Sequence, residues 1–254
     1  MRTRSEKIVL PLAVGVALIG LWQLGVTVAG SDVLPGPLMV ARGIGELWSH
    51  GLLVPYALAS LRRVAIGYAI AVGAGVPLGL WMGRSRVVAA AANPLVQILR
   101  PISPIAWIPI AIVLFGIGEG APVFLIALAG LLPIASSVAA MTETVPPMFV
   151  LAARNFGLGE AATLRRVVFP AILPQLLATL RTTLGICWIV VVAAEMIAVD
   201  SGLGYLIIDS RNAGKRYDLV VAGMVLVGAI GLLLDAAFRL LERARSVRWG
   251  FLAR

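Results

Sequence analysis

Few side chains in this sequence could do chemistry, and they lie far apart. One histidine, His50, and one cysteine, Cys187, accompany 12 acidic residues in a chain of 254. His50 has no cluster of metal-ligating neighbours. Cys187 has no disulfide partner and, inside an apolar run, reads as a small buried core residue. No Ser/His/Asp set and no carboxylate pair presents itself for covalent or acid–base work. The phosphate-cradling run G-x-x-x-x-G-K-[ST] is missing, and the Gly-rich stretch FGIGEGAP at 115–122 carries no lysine. What stands out is a single acid, Glu195, inside the apolar run 182–199. An acid in such a run costs about 2.5–3.5 kcal/mol to insert, so it needs a partner, a proton or water. Two roles fit it. It is a gate or pathway residue in the outer half of its span, or a buried group hydrogen-bonded to a neighbouring helix. A carboxylate is poorly suited to binding an anionic solute directly.

The elements that must carry these residues follow from composition. The chain is 60% hydrophobic and 13% charged, about half the charge of an ordinary soluble domain. That little charge cannot cover a soluble surface, so the class is a polytopic all-α membrane protein. The net charge of +9 is explained by basic loops facing an anionic leaflet, with no nucleic-acid partner. A spanning helix needs about 20 apolar residues. The windows 8–30, 64–83, 101–118, 120–142, 182–199 and 219–238 supply six candidates. The basic start MRTRSEK with the long run after it reads as a retained anchor. Pro101, Pro104 and Pro109 cannot share one regular helix, so RPISPIAWIP belongs inside the bundle beside a path.

With the N-terminus placed inside, the inner segments carry Arg2, Arg4, Lys7, Arg84, Arg86, Arg154, Arg165, Arg166, Arg239, Arg243, Arg245, Arg248 and Arg254. The outer loops carry Arg42, Arg211, Lys215 and Arg216. This asymmetry puts both termini in the cytoplasm. Arg62 and Arg63, near the outer end of the second span, snorkel outward or face a protein partner. Residues 31–56 form an outer loop with a short amphipathic helix around 40–48. Along the spans, Gln97, Thr182 and Thr183 line a path or tie helices together, and Ser103 flanks the Pro-broken segment with Arg100 and Trp107. Trp107 and Trp188 line a constriction or simply pack. Arg100 draws an anion inward or snorkels to the inner interface. Outside, Arg211, Lys215 and Arg216 dock an acidic surface, concentrate anions, or form an ordinary solvated loop.

The longest inner segment contains LAARNFGLGEAATLRRVVFPAILP, residues 151–174. It is too polar to span and has helical composition. A short helix over 144–155 after Pro146 and Pro147, a turn at Gly157 and Gly159, and a second helix over 160–169 make a bent elbow. Ala161, Leu164 and Val168 share one face of the second helix, and Pro170 and Pro174 end it and redirect the chain. Such an elbow seats against another surface through its small residues, or lies on anionic lipid.

This stretch resembles the EAA loop of ABC-importer permeases: Glu-Ala-Ala, three residues, Gly, nine residues, Ile-x-Leu-Pro. Ala152, Ala153 and Gly157 match, and Val167, Val168, Phe169 and Pro170 follow at the right distance, with Val for Ile and Phe for Leu. The first position is Leu151 instead of Glu, which removes a charge the pattern offers to a partner or to the local turn. The segments 60–83, 100–119 and 184–207 are similar to permeases for taurine, alkanesulfonates and nitrate. The resemblance covers about residues 55–245. It implies one transmembrane domain over 1–254, a five-helix type I core at 55–245 after an extra helix at 8–30, and a coupling loop at 144–172. It further implies a homodimer in the bacterial inner membrane, a cytoplasmic ABC ATPase dimer binding ATP and Mg, and an extracytoplasmic substrate-binding protein. The chain itself then needs no cofactor and is not an enzyme. Coupling falls on Ala152, Ala153, Arg154, Gly157, Arg165 and Pro170. The pathway or gate falls on Gln97, Ser103, Trp107, Trp188 and Glu195. A small anion is the expected solute, with a neutral or cationic vitamin precursor or an ion-coupled secondary transporter as alternatives. A membrane-embedded enzyme would need clustered His, Asp or Glu, and none is visible.

Overall fold

A computed structural model of the chain describes residues 6–30 and 34–242, and its regular elements among them are all helical. They are α1 Glu6–Ala29, α2 Pro37–Ser49, α3 Leu53–Arg84, α4 Arg86–Leu99, α5 Ile108–Phe115 and α6 Gly120–Glu143. After these come α7 Pro147–Asn155, α8 Glu160–Thr163, α9 Phe169–Ala198, α10 Leu203–Gly214 and α11 Tyr217–Glu242. Five helical stretches are long and apolar enough to cross a membrane, six if one bent pair counts as a span. α3 and α9 are longer than the uncharged windows suggested. They carry Arg62, Arg63 and Arg181 within their length.

The window 101–118 is not one continuous helix. α4 meets the segment Pro104–Phe115 at 90°. Pro104 and Pro109 fall in the first turns of a short 3₁₀ turn (Pro104–Trp107) and of α5, where a missing N–H costs nothing. Only part of this segment enters the bundle. Ile108 and Ala111 are buried, while Ile102, Val113 and Leu114 are exposed.

The centre of the bundle is α3 against α6, with α9 laid along both. Small residues on α3 explain the close fit. At Gly67, Gly75, Gly79 and Gly83, spaced one or two turns apart, an added Cβ would fall 2.5–3.0 Å from atoms of α6. Without side chains there, the two backbones approach closely, and dispersion contacts replace the hydrophobic drive that lipid removes. α1 is apolar on all sides and touches little beyond α2, as a lipid-facing span should. α2 is amphipathic as expected and buries Val40 and Leu47. Arg216 clips it to α11 by reaching both Glu46 and Asp218.

The elbow forms where the sequence placed it, with differences mainly in its second arm. α7 ends at Asn155, and Gly157 turns the chain with φ +76°, a conformation that L side chains avoid. Gly159 is ordinary extended backbone. From Glu160 the helix then runs on to Ala198 without a break. Pro170 and Pro174 neither end nor redirect it. A π-helical turn, Leu164–Val168, precedes Pro170, and the Phe169 N–H donates to the Leu164 carbonyl across this wider ring. The widened turn absorbs the donor that proline lacks. Thr163 and Val168 form the buried face, whereas Ala161 is exposed. Arg2, Arg4, Arg243, Arg245, Arg248 and Arg254, which carry much of the orientation argument, lie outside the described residues.

Candidate functional site

At one end of the bundle the elbow presents apolar side chains to the outside. Phe156, beside the Gly157 turn, is 85% exposed, and Met148, Phe149 and Leu151 on α7 are also exposed. Ala152 is exposed and Ala153 is buried, so the two alanines face opposite ways. Arg154 donates to Glu160 at 2.5 Å, which ties the two arms of the elbow together. Arg84, at the end of α3, approaches the same carboxylate at 3.7 Å. Between them opens a cleft of about 410 Å³ lined by Arg84, Thr142, Val150, Leu151 and Arg154. Arg165 and Pro170 are exposed on the continuing helix. The sequence reading missed Phe156; an aromatic beside a turn glycine was its only signal.

At the opposite end lies a caged carboxylate. Arg63, in the third turn of α3, has no exposed surface. Its five N–H donors all find acceptors. Nε and Nη2 grip Glu119 at 3.0 and 2.7 Å. Nη1 donates to Glu195 Oε1 and to the Ser201 carbonyl, both at 2.7 Å, and Nη2 also donates to Ser201 Oγ at 2.7 Å. The other Glu195 oxygen accepts from Ser60 Oγ at 2.8 Å and from the Gly204 N–H at 3.0 Å. The chain can wrap this closely only through glycine. An added Cβ at Gly202, where φ is +105°, would lie 2.4 Å from the Glu195 carboxylate. Arg62 adds a second cation to Glu119 at 3.1 Å. The Arg63 hydrogen bond, reinforced by Arg62, holds the Glu119 carboxyl below its ordinary range.

The sequence offered two places for Arg63, outward snorkelling or a partner protein; the structure puts it in the core. It binds together the ends of α3, α6 and α9 and the turn leading to α10. The expected pathway residues do not converge. Gln97 and Ser103 are exposed on and after α4. Trp107 lines a cavity of about 150 Å³ together with Arg100. Trp188 is buried, and its indole N–H donates to the Val227 carbonyl at 3.0 Å. Thr182 and Thr183 donate to carbonyls of their own helix. Arg216 is held by Glu46 and Asp218, which leaves Arg211 and Lys215 exposed among the three residues of the expected basic patch.

With this geometry in view, comparison with known proteins is specific. A family described as "Binding-protein-dependent transport system inner membrane component" matches residues 75–247. The taurine transport system permease protein of Escherichia coli is 36% identical over 205 residues, covering 80% of this chain and 71% of that protein. The nitrate import permease protein of Synechococcus elongatus is 31% identical over 232 residues, covering 85% and 82%. A chain of the methionine ABC transporter MetNI, solved in an inward-facing conformation, superposes with a TM-score of 0.66 at 23% identity, covering 77% of this chain and 96% of that one. That last likeness concerns the fold.

Proposed function

Because this chain belongs to the family of binding-protein-dependent inner-membrane transport components, and so is the permease subunit of an ABC importer, we propose that residues 144–172 are the element through which a separate ATPase drives it. The observation that carries this reading is the elbow itself. It is a bent projection that leaves Phe156 and three other large apolar side chains uncovered at one end of the bundle. Exposed apolar clusters of this kind mark contact surfaces. Ala152, Arg154, Gly157 and Arg165 shape or flank that surface, and Ala153 anchors it from within. Pro170 marks where the wide turn passes into α9.

In this reading two copies of the chain pair, each above one ATPase subunit that binds ATP and Mg. ATP binding closes the ATPase dimer and draws the two elbows together. The helices rock, the outer mouth opens, and a soluble binding protein releases its solute there. Work is extracted because the two states differ in affinity for nucleotide. The solute we propose is a small anion of the nitrate or sulfonate kind. The taurine and nitrate permeases among the relatives and the exposed Arg211 and Lys215 support it. Co-expression with a cognate ABC ATPase and binding protein tests the reading. The expected result is a stable complex whose ATP hydrolysis rises when the loaded binding protein is added. A chain that retains no ATPase and holds its elbow flat on phospholipid would overturn it.

A further inference from the structure

Arg100 is a cation without a counter-charge. It directly follows α4 and is exposed. Among the described residues its guanidinium makes no hydrogen bond and no ion pair. It lines a cavity of about 150 Å³ together with Ile102, Trp107, Leu128, Ala129, Pro133 and Ile186. No carboxylate among the described residues lines that cavity. Two of its wall residues carry further free polar groups. Pro133 has no N–H to give to the Ala129 carbonyl, one turn before it on α6. The indole N–H of Trp107 has no acceptor among the described residues. Polar groups freed at membrane depth must meet protein or water.

Two helices other than α4 fix the level of this cavity. On α6, Leu128 stands eight residues after Gly120 and Pro133 ten before Glu143, about 12 and 15 Å along the axis. On α9, Ile186 stands twelve residues before Ala198, about 18 Å. The polar features of the two surfaces lie beyond the ends of α6: Glu119 with Arg62 and Arg63 before it, and the elbow after it. Arg100 therefore stands nearer the middle of the bundle than either surface, which is not where a snorkelling arginine ends. Ionised side chains at such depth face a bundle interior or water, because acyl chains solvate them poorly. Gln97, one turn before Arg100 on the same face of α4, is also exposed and without a partner among the described residues. This side of the chain is therefore wetted in the membrane.

We propose that the Arg100 cavity is a water-filled station for small oxyanions on the transport path, and that Arg100 is the residue that selects negative charge there. The inference rests on the anion-import reading above and gives it a location. The unpaired guanidinium offers a sulfonate or nitrate group up to five N–H donors in a planar fork. Trp107 adds one donor and a flat apolar wall. The free Ala129 carbonyl takes a hydrogen from water. The remaining walls are apolar, so charge recognition falls on Arg100 alone.

The test uses the full chain, co-expressed with its ATPase, in phosphatidylcholine nanodiscs that contain no anionic lipid. Ile102→Cys places a thiol in the cavity wall at a partly open position, 40% exposed. The buried Cys187 stays in place as an unreactive control. Labelling rates are compared for sulfonatoethyl and trimethylammonioethyl methanethiosulfonate, normalised to each reagent's rate with a free thiol. The expected result is a roughly tenfold preference for the anionic reagent, from one unpaired charge nearby in a wet site. That preference should fall to about unity when Arg100→Gln is added and persist with Arg100→Lys. No labelling of Ile102→Cys by either reagent, equal normalised rates, or a preference that survives Arg100→Gln would overturn the proposal. ATPase co-purification is scored on the same sample, so loss of the importer reading is seen separately from loss of the station.

Discussion

Replacing Arg63 with methionine should strand the Glu195 carboxylate in the core. The guanidinium makes five hydrogen bonds to Glu119, Glu195 and Ser201. Neither Arg63 nor Glu195 has exposed surface. Methionine is apolar and nearly as long, so the change removes charge and donors more than volume. Glu195 keeps only Ser60 and the Gly204 N–H. Breaking a buried pair from one side costs about 3–5 kcal/mol. At about 2–4 °C per kcal/mol for a chain of this length, the midpoint of thermal unfolding should fall by about 6–20 °C. The assay is thermal unfolding of the purified chain in detergent, followed by loss of the monodisperse peak on size exclusion. Adding Glu195→Gln to Arg63→Met removes the stranded charge and should restore at least half of the loss, a coupling expected of residues in direct contact. An unchanged midpoint in Arg63→Met, or a double variant whose loss is the sum of the singles, would refute the argument that this pair holds α3 to α9.

Glu195→Gln can turn its one oxygen only toward Arg63 or toward Ser60 and the Gly204 N–H, so its NH2 group faces a donor on the other side; it should lower the midpoint, though by less than Arg63→Met, and uptake at the wild-type rate by the assembled protein in reconstituted vesicles would remove Glu195 from the transport cycle. Gly79→Leu forces a side chain where even a Cβ lies 2.5 Å from the Ala135 carbonyl oxygen. It should lower the folded yield by overpacking worth at least about 1–3 kcal/mol, whereas Gly73→Ala, with nothing within 4 Å, should be silent. The carboxyl of Glu119 is held below its ordinary range by Arg63, so its stabilising effect is complete above the unfolded value of about 4.3. That effect is lost as pH falls through the lower folded value; unfolding midpoints should therefore stay flat from pH 8 to pH 5 as far as this group is concerned, drop below about pH 4, and drop less in Glu119→Gln. Phe156→Ala should weaken binding of the ATPase by about 10- to 100-fold, as loss of an aromatic anchor does, while leaving the unfolding midpoint in place.

The parts legible in the sequence were those with local signatures. Uncharged windows marked the spans, proline spacing marked the break before α5, and Gly157 with the paired alanines marked the elbow. What was not legible depends on contacts between distant residues. Arg63 looked like an interfacial arginine because its acid, Glu195, lies 132 positions away. Nothing local distinguishes a snorkelling guanidinium from one that is caged. Arg181 stands at the edge of an apolar window with no local signature, because its partner Asp235 of α11 is 54 positions away. Pro170 misled in the other direction. A rule about single residues predicted a helix end, but the preceding turn widened and the helix continued. The glycines of α3 carry no assignment in the sequence, and only the nearness of α6 gives them a purpose.

If the bent elbow seats in a nucleotide-hydrolysing partner and levers the bundle, Phe156 must touch that partner. A photo-crosslinking amino acid in place of Phe156, in the full chain co-expressed with its ATPase in native membranes, tests this most directly. The expected product is an adduct with the ATPase, in a yield that changes when ATP is bound. Crosslinks to phospholipid alone, with or without nucleotide, would contradict it.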